Sequence, residues 1–191
     1  MGDIIEGAGR ARVRGATMTY QLVNVVGFNA GWFACVLSAA GGVPWAGLIG
    51  VAALVVLHLW MMPHPRREVA LLLLAGLVGA IIDSVQMQLG VFSFPGHGPM
   101  AWLCPIWLIA LWVNFATTFH VSGRWLRGRY LLAAALGALS GPCSYFAGAR
   151  MGAMRMHPNP TIATAGIALG WAVAMPVLVH AAALTEAPAK S

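Results

Sequence analysis

Residues 69–91 read VALLLLAGLVGAIIDSVQMQLGV, an apolar run of 23 residues interrupted by one acidic side chain, Asp83. About 20 apolar residues cross the ~30 Å hydrocarbon core of a bilayer as a helix. A run of this length, without the period-2 alternation of a membrane barrel strand, reads as a transmembrane helix. The same reading repeats outward along the chain. Further helices are expected near Tyr20 to Ala40, Trp45 to Met62, Ala101 to His120, Tyr130 to Arg150 and Thr161 to Ala183. With 60% apolar and 8% charged residues, the chain is expected to be an all-α polytopic membrane protein, a bundle of about six spans.

Short connections separate the blocks. Gly41-Gly42-Val43-Pro44 reads as a tight turn, and Pro63 to Glu68 as a charged connection in which proline stops one helix and leads into the next. Three regions follow: a basic, flexible N-terminal segment over 1–18, a six-helix transmembrane domain over 19–184, and a short tail over 185–191. Arg10, Arg12 and Arg14 ahead of the first block resemble the start of a signal peptide, but the apolar run is longer than such a peptide needs, so an uncleaved first helix is expected. The net charge of +6 does not point to nucleic acid, because the basic residues lie between apolar blocks. Arg10, Arg12, Arg14, Arg66, Arg67, Arg124, Arg127, Arg129 and Lys190 fall on one side, and Arg150 and Arg155 on the other. Positive charge marks the cytoplasmic side, so both termini are expected there.

Ionisable groups at membrane depth are costly and mark functional or register-locking positions. Asp83 stands 14 residues beyond Val69, or about 21 Å from the cytoplasmic face. Gln86 shares its helix face. Tyr145 falls at about 24 Å and Arg150 at about 31 Å on the fifth helix, with Trp107 of the fourth at a similar depth. Together these five residues outline an outward-facing polar pocket, with Asp83 and Tyr145 as candidate catalytic groups and Gln86, Trp107 and Arg150 as candidate substrate-binding groups. The alternative is a buried Asp83–Arg150 ion pair that fixes helix register.

His58, His120 and His180 lie near the cytoplasmic face on three helices and form a weak candidate set for zinc or haem. No H-x-x-x-H spacing supports it, and no carboxylate is expected nearby, so neither a metal nor another cofactor is predicted. On the fifth helix Gly137, Gly141, Gly148 and Gly152 recur around Pro142. Small residues at this spacing let helices approach closely in lipid, and a proline in mid-helix bends it. Asn29 and Asn114 are expected to make interhelical hydrogen bonds worth about 0.6–2 kcal/mol each. Cys35, Cys104 and Cys143 are read as free thiols.

Four stretches taken together carry a resemblance: Gly31 to Leu37, the segment around Asp83, Leu111 to Thr118, and Gly141 to Gly152. Over about residues 20–183 the chain resembles the bacterial domain-of-unknown-function family numbered 2878. The resemblance implies a small polytopic inner-membrane protein, and a place beside lipid-modifying enzymes such as cyclopropane-fatty-acid-synthase-like proteins. The expected function is therefore binding or modification of an acyl lipid, with membrane lipids as partners. The alternatives are a helical scaffold for another membrane protein and a small transporter.

Overall fold

The computed structural model describes residues 2–94, 96 and 102–185, with side chains from residue 18 onward. Six α-helices follow in chain order: α1 Gly2–Ala40, α2 Pro44–Met61, α3 Pro65–Gln88, α4 Ile106–Ala116, α5 Tyr130–Arg150 and α6 Pro160–Thr185. Five contain segments long and apolar enough to cross a membrane: Met18–Ala40 of α1, and the whole of α2, α3, α5 and α6. The all-α polytopic reading is thus met. The α1 backbone is helical from Gly2, ahead of the apolar start expected near Tyr20. The expected tail beyond Thr185 lies outside the described residues, as do Pro95 and residues 97–101 of the third loop.

The fourth span differs from expectation. Instead of residues 101–120, α4 covers the 11 residues Ile106–Ala116, a rise of only about 16 Å. Pro105 occupies its N-cap. At the other end Thr117 and Thr118 donate their hydroxyls, both at 2.7 Å, to the Asn114 and Phe115 carbonyls. Such local bonds compete with continued helix. The short helix sits among α1, α2 and α3, which cover its irregular ends. Non-helical backbone at membrane depth is tolerated only where protein or water satisfies it. Here Asn24 of α1 donates to the Thr117 carbonyl (3.1 Å), and Ser84 of α3 accepts the Cys104 N–H (2.9 Å).

α1, α3 and α5 end alike. Gly42, Gly90 and Gly152 adopt φ of 75°, 73° and 93°, and the following residue's N–H reaches back to close the last turn. A left-handed residue there is cheapest as glycine. Strands were not expected, and among the described residues one minimal pair occurs. β1 (Phe92–Ser93) pairs antiparallel with β2 (Arg155–Met156), tying the loop after α3 to the α5–α6 connection.

Two buried clusters hold the bundle. One centres on Leu71, Ala75, Trp112 and Leu178, the other on Cys35, Phe92, Trp107, Tyr145 and Ile167. Close helix approach relies on missing side chains. Gly79 of α3 lies against the Trp112 indole, Gly31 of α1 against the Asn114 amide, and Gly137 and Gly141 of α5 against Trp171 of α6. Gly148 makes only ordinary contacts, and Pro142 is buried inside α5. A methyl added at Gly79 would overlap the Trp112 ring. Gly79→Ala should therefore cost about 1–3 kcal/mol, the usual penalty of overpacking, seen as a lower unfolding temperature of the purified protein. An unchanged midpoint would show that Trp112 has room to move.

Candidate functional site

Asp83 reaches the centre of the bundle from α3 and is 0% exposed. Its Oδ2 accepts the Trp112 Nε1–H of α4 at 2.7 Å, and its Oδ1 accepts the Tyr145 hydroxyl of α5 at 2.6 Å. Indole N–H can only donate, so the carboxyl group serves as acceptor for both. Trp112 stacks on Trp171 of α6 with ring centroids 4.5 Å apart and planes at 24°. Trp171 meets Tyr145 edge-on at 6.3 Å. Three helices thus meet at one carboxyl group, with α6 packed on the two donor rings through Trp171, and no ion pair to the carboxyl occurs among the described residues.

In front of this cluster lies a groove of about 360 Å³. Phe28, Asn29, Trp32 and Phe33 of α1 form one wall, and Ser140, Ser144, Tyr145 and Ala147 of α5 the other. Leu108, Leu111, Trp112 and Phe115 of α4, with Trp171 of α6, form the back. α1 and α5 scarcely pack on each other, while each packs firmly on its own neighbour, α2 or α6. The gap between them opens sideways, where Phe33 and Ser140 are exposed. Trp32 spans it by donating to Ser144 Oγ at 3.0 Å.

The five residues expected to outline one pocket separate. Asp83 and Tyr145 meet directly. Gln86 turns instead to α6, where its amide donates to the Gly166 carbonyl at 3.2 Å. Trp107 packs edge-on against Phe94 in the second buried cluster and does not line the groove. Arg150 is exposed at the end of α5, and the Asp83–Arg150 ion pair is not formed. The vertical gap of about 10 Å between the Asp83 and Arg150 levels explains the separation, since Arg150 lies five residues, about 7.5 Å of helix, beyond Tyr145. Asn114 does bridge helices, donating to the Phe28 carbonyl at 2.9 Å, whereas Asn29 bonds to Val25 in its own helix. Trp32, Trp112, Ser144 and Trp171 were not singled out from the sequence, where tryptophan at these positions reads as core packing.

A second polar cluster joins the ends of four elements. Glu68, in the first turn of α3 and 3% exposed, accepts from His58 of α2 at 3.2 Å and from His120, just beyond α4, at 2.5 Å. The other His120 nitrogen faces the Ala182 carbonyl of α6 at 2.8 Å. The expectation that no carboxylate lies near these histidines is therefore wrong. Glu68 was read as part of a charged loop because it follows Arg66 and Arg67, but α3 already starts at Pro65, which turns Glu68 inward. His180 lies apart, against the Tyr130 hydroxyl at 3.1 Å, so the three histidines do not converge. Among the described residues no group of three or more His, Cys, Asp or Glu is arranged to hold a metal ion. Burial disfavours the charged form of His120, but its bonds to Glu68 and the Ala182 carbonyl outweigh that and raise its pKa. Cys35, Cys104 and Cys143 are free thiols.

A family model described as a protein of unknown function, DUF2878, matches residues 21–177. No curated protein and no solved structure matches the chain.

Proposed function

Since the chain belongs to the DUF2878 family, a membership that brings no reaction with it, we propose from the geometry that this integral membrane protein binds an acyl lipid, one chain of which enters the groove between α1 and α5 from the side. The observation that carries this reading is the lateral, largely apolar opening between α1 and α5, two helices with segments long and apolar enough to cross a membrane. Ser144 and Ser140 lie six and ten residues from Arg150, or about 9 and 15 Å along the helix. At that depth a lipid presents only its hydrocarbon. A groove of about 360 Å³ falls within the ~300–1,000 Å³ typical of small-molecule sites.

Arg150, exposed at the same end of α5, stands where the anionic headgroup of such a lipid would sit. Tyr145 faces the groove and shares a hydrogen bond with Asp83 behind it, which gives the site one donor–acceptor pair beside the bound chain. This pair is the group we assign to any modification of the lipid. The skewed distribution of basic residues supports an orientation with both termini cytoplasmic, and the family resemblance supports a bacterial inner membrane as its place. Filling the groove tests the reading. Protein carrying Ala147→Trp should keep its helical content and its elution volume, but lose the co-purified lipid species held in the groove, read by mass spectrometry, since one blocked pocket removes the species bound there. Equal lipid in both preparations would refute it.

A further inference from the structure

We propose that the groove also takes lipophilic organic cations, in which a positive charge is sheathed by phenyl or alkyl groups. The proposal rests on the same groove as the lipid reading and adds a preference of charge to it. Seven of the 13 lining residues are aromatic. Ring faces carry negative charge density and attract cations, most strongly where water is absent. Phe28, Trp32 and Phe115 line the opening, and Trp112, Tyr145 and Trp171 line the back, with Trp112 and Trp171 stacked on each other.

The second observation is independent of the first. Trp112 and Tyr145 give their N–H and O–H to Asp83. Their polar hydrogens are thus turned away from the groove, and donation to a carboxylate leaves each ring richer in electrons. Asp83 is fully buried one ring behind the groove, held by neutral donors, with no Lys, Arg or His lining the space in front. When Asp83 is ionised, its charge has no basic partner among the described residues and, in a medium of low dielectric, acts on a ligand one ring away. The pattern favours a cation and opposes an anion of the same shape. A bare ammonium would lose too much hydration on entering hydrocarbon, which restricts the ligand to cations whose charge is shielded.

Tetraphenylphosphonium and tetraphenylborate provide the test, being alike in shape and opposite in charge. Each is titrated into full-length detergent-purified protein while intrinsic tryptophan fluorescence is followed, with matched empty micelles as the reference. Saturable phosphonium binding is expected, with borate at least about ten-fold weaker, the scale of one desolvated cation–π contact. Ala147→Trp should abolish the phosphonium response, and Asp83→Asn should weaken it about ten-fold. Equal responses to the two ions, or none to either, would overturn the proposal. The wild-type comparison of signs is decisive even if Asp83→Asn does not fold. Co-purified lipid in the same preparations separates the two readings: lipid displaced by Ala147→Trp alongside equal ion responses removes only the charge preference, whereas lipid unchanged removes the groove as a site.

Discussion

Asp83→Leu should lower the stability of the purified protein by about 2–6 kcal/mol, because two buried donors lose their acceptor at a cost of ~1–3 kcal/mol each. The donors are the Trp112 N–H and the Tyr145 O–H, each of which bonds to Asp83 in the fold. The loss differs in kind from a cavity effect, since leucine is larger than aspartate and leaves no void. Adding Tyr145→Phe to Asp83→Leu removes one orphaned donor and should recover part of the loss. Replacing both partners by apolar groups costs less than stranding one of them. Asp83→Asn should fall between, since it keeps one acceptor oxygen and turns an amide toward the other donor. Thermal unfolding in a single detergent measures all three. A double substitution less stable than Asp83→Leu alone would refute the account.

Glu68→Ala should cost about 3–5 kcal/mol, the range for breaking a buried pair by removing one member. Glu68 joins α2, α3 and the chain beyond α4, and His120 carries the link on to α6. The substitution also changes how stability depends on pH. The His120 pKa is raised in the fold above its ordinary value of 6.5, so its contribution is fully present below about 6.5 and is lost as pH rises through the higher folded value. Wild-type protein should therefore lose unfolding temperature as pH climbs from 6.5 into the alkaline range. In Glu68→Ala that decline should flatten, because the partner that held the proton is gone. Parallel pH profiles for the two proteins would show that the pair contributes no linked stability.

The membrane architecture was legible because it rests on one physical requirement, the burial of every backbone hydrogen bond in hydrocarbon. Long apolar runs meet it only as helices, so residues 69–91 fix the reading regardless of context. The shortness of α4 was not legible from hydropathy, since its apolar run continues through residues where Pro105 and the Thr117 and Thr118 hydroxyls end the helix. Depth arithmetic brought Asp83 and Tyr145 together, because rise per residue is nearly constant. It could not give rotation about the helix axis, and so it placed Gln86 and Trp107 beside Asp83 when they face other neighbours. Glu68 was hidden by Arg66 and Arg67: a run of three charges reads as solvated, while the helix starting at Pro65 separates them onto different faces.

The brevity of α4 bears on how the chain is made. Eleven residues cannot span the hydrocarbon unaided, and both ends of this helix borrow their hydrogen-bond partners, Ser84 from α3 and Asn24 from α1. Those partners precede it in the chain and leave the ribosome first. A nascent α4 that reached the insertion machinery alone would have nowhere stable to go. Arriving after α1, α2 and α3, it meets a prepared cleft that supplies what its own sequence lacks. The order of segments along the gene is thereby tied to the order of assembly in the bilayer, and a rearranged chain with the same helices would lose that advantage.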